Sequence, residues 1–207
     1  MYSTHEVTPE VQALIDAGIE VKGFLIRMLA YLLDLVVLVL INYLAEAIFS
    51  VVIFLPLAAL LEAGGRTYTV GSDLPLLARL SLALVLSILY TAAMEAAFGA
   101  TVGKLLLGLR VVNYEGRLCS LGQALLRGVL RLADGLIFGA VAYLQMKSPL
   151  RQRLGDKVAR TLVVSAKSSF IAERRPWWAF AVALLGYGAI AGLSTVLLAL
   201  LVTLRIG

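Results

Sequence analysis

The sequence predicts an all-α integral membrane protein: a helical bundle of three spans plus a re-entrant helical hairpin, with a small cytoplasmic β-prone loop region. Three observations predict it. Of 207 residues, 61% are hydrophobic and 15% charged, against about 45–50% and roughly 25% in a soluble domain. The apolar residues collect in runs long enough to cross a bilayer. The basic residues are unevenly placed: 13 of the 18 lysines and arginines fall between Lys104 and Arg175, the bias that marks a cytoplasmic face.

The same figures exclude other classes. A mean hydropathy of +0.94 leaves no room for a water-soluble enzyme. One histidine (His5) and one cysteine (Cys119) exclude an internal disulfide and a cysteine–histidine zinc site. No metal or cofactor is expected. The net charge of +5 reads as topology and not as nucleic-acid binding, because the basic stretch lacks interleaved aromatic residues. Gly99–Lys104 resembles a phosphate-binding loop but fails the pattern twice, with Phe98 where glycine is required and Leu105 after the lysine.

Residues 1–21 carry Glu6, Glu10, Asp16 and Glu20 and no basic residue, unlike a secretory signal. Thr8-Pro9-Glu10 ahead of Val11, Leu14 and Ile15, stopped by Gly18, predicts a short capped amphipathic helix. It would lie on the membrane surface or pack on the protein's own cytoplasmic loops. A membrane domain follows over 22–166. Its first span is expected near 24–48 and its second over 76–98, joined by a loop marked by Gly64-Gly65, Gly71-Ser72-Asp73 and Pro75. That loop is poor in basic residues and reads as the outer side, which leaves the N-terminus in the cytoplasm.

Leu109–Val112 leads into the turn Asn113–Gly116 as a short strand, and Arg160–Val164 is a second β-prone run with which it could pair. The segment 123–146 is long enough to span once. A single span would export residues 147–176, which hold eight basic residues against Asp156 and Glu173. A re-entrant hairpin bending near Asp134-Gly135 avoids that violation and is favoured. After a basic linker at 167–176, residues 177–207 supply a further membrane helix. Trp177 and Trp178 anchor it beside Arg174 and Arg175, and Gly188 with Gly192 permits close helix packing.

Charges inside membrane segments need a reason. Arg27 and Asp34 are seven residues apart on one face of the first span, with Tyr31 between them. Arg27 can snorkel to the interface, whereas Asp34 must face a partner, water or a ligand. Arg127, Arg131 and Asp134 share a second helical face, with the arginines expected near the headgroups. Glu95 ends the second span in line with Ser87 and Thr91. The bland reading is internal pairing of Asp34 with an arginine of the third segment. The sharper ones are a transported ion or proton on Asp34, or a bound headgroup or protein partner.

The stretch Gly23–Asp34 resembles the opening of the RDD family of small bacterial membrane proteins, named for an arginine and two aspartates. The resemblance continues through Phe98–Val112, with Gly103, Lys104 and Gly108, then Gln123–Arg127, then Arg151–Thr161, with Arg153, Gly155, Asp156 and Thr161. It covers about residues 22–166. It implies that Arg27 and Asp34 are the first two family residues and that Asp156, with Asp134 as rival, is the third. Arg160 departs from the pattern, which often has glycine before the threonine. The family implies a bacterial cytoplasmic membrane, and cation/proton exchange has been suggested for some relatives.

Two functions follow as expectations. One is a non-enzymatic accessory or adaptor subunit of a membrane complex, presenting its basic cytoplasmic face to other membrane subunits or to anionic lipid. The alternative is a small oligomeric transporter or cation/proton exchanger using Asp34. No nucleophile–base constellation supports an enzyme.

Overall fold

The computed structural model describes residues 8–56, 59, 76–135 and 150–206. Apolar length sets the frame. Helix α2 (Phe24–Phe49) runs on into a π-helical turn, Ser50–Phe54, while α3 covers Leu76–Phe98 and α7 Trp177–Ile206. All three are long and apolar enough to cross a membrane. They pack on one another through Leu38, Ala45, Leu86, Tyr90, Met94, Tyr187 and Ala191. Their outward faces expose leucines and valines such as Leu25, Val39, Leu77 and Leu185, as lipid-facing surfaces do.

Between α3 and α7 the chain builds a smaller body from short pieces. Helix α4 (Val102–Leu106) leads through Gly108 into strand β1 (Leu109–Asn113); α5 is Leu121–Gly135; α6 (Leu154–Val158) precedes β2 (Thr161–Ser165). The strands pair antiparallel, with Leu109 opposite Ser165 and Asn113 opposite Thr161. The expected pairing of the two β-prone runs therefore forms. Val21 bridges to Val164, and the Lys22 N–H donates to the Val163 carbonyl at 2.9 Å, so the N-terminal approach to α2 joins the same sheet.

Helix α1 (Pro9–Asp16) starts at Thr8, whose hydroxyl caps the Val11 N–H. Its Leu14 packs with Val21, Val112, Leu150, Leu162 and Val164, so the helix rests on the protein's own loop body. Of the hairpin expected over 123–146, the first arm lies in helix α5, and residues 136–149 lie outside the described residues.

Candidate functional site

The short elements bring polar side chains against the N-terminal half of α2 and the C-terminal half of α3. Helix α2 contributes Arg27 and Asp34; α3 contributes Tyr90 and Glu95; Thr101 precedes α4, which carries Gly103 and Lys104. Helix α5 supplies Arg127 and Arg131, and α6 supplies Asp156. Arg27, Asp34, Glu95, Lys104, Arg127, Asp156 and Thr161 are all buried. Buried charges persist only when paired and hydrogen-bonded, and here all of these except Asp34 form one connected network.

Asp156 takes Arg27 on one carboxylate oxygen and Arg127 on the other. Arg27 also donates to the Arg151 carbonyl at 2.9 Å, and Arg127 to the Thr161 hydroxyl. Arg127 Nε then reaches Glu95 Oε2 at 2.9 Å, and Lys104 holds the other Glu95 oxygen. Burial alone would push the Asp156 carboxyl up; the Arg127 and Arg27 guanidinium groups outweigh it and hold the group well below the usual carboxylate range. Burial also brings the Lys104 ammonium down to about 8, against the attraction of Glu95.

Asp34 sits apart from this network. Its Oδ1 accepts from the Tyr90 hydroxyl at 3.1 Å and the Gly103 N–H at 2.8 Å, and its Oδ2 accepts from the Thr101 hydroxyl at 2.6 Å. Gly103 is required by the close approach: a Cβ there would stand 2.1 Å from the Ala30 carbonyl oxygen and 3.0 Å from Asp34 Cγ. Asp34 borders a cavity of about 290 Å³ between α2, α3 and α5, with Tyr31, Ser87, Thr91 and Arg131 in its wall.

Several expectations change at this point. Arg27 does not snorkel outward but turns inward to Asp156. Arg127 is enclosed by protein and pairs with Glu95 and Asp156. Among the described residues Asp34 has no arginine or lysine within ion-pair distance; the pairs form on Asp156 and Glu95 instead. Asp134 stands in the last turn of α5, and its side chain lies outside the described residues. Of the other motif positions, the Arg153 N–H donates to Asp156 at 3.1 Å, Gly155 lies against the Arg127 backbone, and Gly108 turns α4 into β1 at positive φ. Arg160, the departure from the family pattern, holds a left-handed φ of 53° and pairs with Glu10.

Gly188 and Gly192 belong to the α2–α7 contact, where Gly192 meets Phe49 and the Tyr187 hydroxyl bonds Asn42 at 2.9 Å. Sequence reasoning missed Tyr90 and Thr101 as donors to Asp34. A hydroxyl at the start of α4, three residues before Lys104, was the available signal for Thr101. Among the described residues no group of histidines, cysteines and carboxylates could hold a metal ion.

Three apolar spans, a two-stranded loop and a buried network of charged and polar groups define a multi-pass membrane protein with a charged interior. The RDD family model matches residues 21–160, and the chain belongs to that family. The uncharacterized protein YxaI of Bacillus subtilis (strain 168) is 30% identical over 145 residues, 69% of this chain and 95% of the relative. No solved structure matches the chain. The match ends before α7, so that helix lies beyond the region that defines the family.

Proposed function

We propose that this protein is a small ion-handling transporter, acting as an oligomer, in which Asp34 binds a proton or a monovalent cation. One observation carries this reading. The buried carboxylates Glu95 and Asp156 are each locked between cations, whereas Asp34 is held by neutral donors at the wall of a cavity within the spans. A carboxylate with that placement is oriented but not neutralised, which is what a cation site in a low-dielectric setting requires. Three spans offer few walls for a pathway, and for that reason the reading includes an oligomer.

The test is Asp34→Asn, which keeps the shape and removes the charge. Thermal stability of the purified full chain is measured with sodium or potassium chloride against choline chloride at equal ionic strength. The expected result is a cation-dependent rise in Tm for the wild type that disappears in a variant of near-normal stability. A strongly destabilised variant, with no cation effect in the wild type, would overturn the proposal and return Asp34 to a structural role. A second polypeptide in stoichiometric amount after gentle purification would instead favour the adaptor reading with its basic face.

A further inference from the structure

Arg131 lines the same cavity as Asp34, and its grip on the network is the loosest of the interior arginines that contact Glu95. Its Nη2 stands 3.7 Å from Glu95 Oε1, beyond hydrogen-bond distance, because Lys104 and Arg127 already occupy that carboxylate. Its Nε is closed off from solvent and has no acceptor among the described residues. The guanidinium lies 5.5 Å from the centre of the Tyr31 ring, a weak cation–π contact in the cavity wall. Charge balance points in the same direction. Among the described residues, Arg27, Lys104, Arg127 and Arg131 form their ion pairs with Glu95 and Asp156, and Asp34, which has no cation within ion-pair distance, borders the same cavity as Arg131.

We infer that Arg131 is a tethered internal cation that competes with the transported cation for Asp34, closing on it when the cavity is empty and falling back to Glu95 and the Tyr31 ring when a cation binds. The inference rests on the ion-handling reading above. Its physical basis is that an empty site would otherwise leave a buried carboxylate without a counter-charge. A guanidinium on a flexible stem in the same cavity supplies that charge. The bound ion must then displace it, and the apparent affinity falls by the fraction of time that the arginine occupies the site.

The experiment is the cation concentration at half-maximal Tm shift, read with sodium chloride on the purified full chain. Arg131→Gln is expected to lower that midpoint about tenfold, since a like charge leaves the site. Tyr31→Leu removes the resting place on a partly exposed side chain and is expected to raise the midpoint about threefold. An Arg131→Gln midpoint equal to wild type overturns the inference, while a cation effect still abolished by Asp34→Asn leaves the ion-handling reading standing. Should Arg131→Gln fail to assemble, Tyr31→Leu decides alone, and an unchanged or lowered midpoint overturns the inference. A wild type without any cation-dependent shift overturns both.

Discussion

Asp156 stands between Arg27 and Arg127 with 1% of its surface exposed, so its charge is spent entirely inside the protein. Asp156→Asn would leave two buried guanidinium groups short of a counter-charge, and breaking such a pair costs about 3–5 kcal/mol. The pH dependence has a definite sign. The folded-state carboxyl titrates well below its ordinary value of 3.8, so as pH falls the unfolded chain takes up the proton first. The stabilisation is therefore complete above that pH and is lost progressively below it. Tm measured from pH 7 to pH 3 is expected to drop in the wild type from about pH 4 downward. Asp156→Asn should start lower at pH 7 and follow a flatter acid limb. A variant with wild-type Tm at pH 7 would show that the arginines do not depend on it. The identity of this residue was half legible: the motif marked Asp156, but nothing in the spacing tied it to Arg27, because their contact joins positions far apart in the chain. Asp34 shows the reverse, since its intramembrane position was plain and its neutral partners were not. Tyr90 reads as one more apolar residue of a span until its hydroxyl is seen on the carboxylate.

Length and hydropathy made the long helices readable, and alternation with a turn made the two strands readable. The short helices α4 and α6 were not legible, because five residues are too few to display a helical period. Yet they deliver Gly103, Lys104 and Asp156 to the site, so the least readable elements carry much of its chemistry. Helix α7 poses a different question, since its packing had to be read from a weak small-residue spacing. The two glycines of that spacing are unequal. A Cβ on Gly192 would come within 2.3 Å of the Phe49 ring, whereas one on Gly188 would meet Ile41 at 4.0 Å, ordinary contact. Gly188→Ala is expected to leave Tm nearly unchanged. Gly192→Leu should force α7 away from α2 and cost about 1–3 kcal/mol, visible as a lower Tm in detergent. Equal tolerance of both substitutions would mean that α7 does not dock on α2 by this face.

At the scale of the whole molecule, the sheet constrains the path of the chain through the bilayer. Val21 bridges to Val164, and β1 pairs with β2, so the N-terminal approach, the loop after α3 and the loop before α7 gather in one body. The Ala172 N–H closes the same body by donating to the Gly116 carbonyl at 2.9 Å. Helices α2 and α3 account for an outward and a return crossing, which is consistent with that shared end. Between Asn113 and Thr161, however, the chain must leave and return to one side, and a lone complete crossing over 123–146 cannot do so. On this ground we propose a re-entrant hairpin over 123–146, the arrangement that the charge pattern also favours. From the excess of lysine and arginine in these loops we propose that the shared side is cytoplasmic. Cysteine labelling in intact cells tests both steps at once. With the buried Cys119 replaced, single cysteines are placed at Arg117, Arg151 and Lys167, all exposed. A membrane-impermeant reagent is expected to miss all three until the cells are opened, and to reach a cysteine at position 66 without permeabilisation. Labelling of position 151 from outside while 117 stays protected would require a full crossing between them. That result would remove the hairpin, and the strand pairing could not survive it, because β1 and β2 would then lie on opposite sides of the membrane.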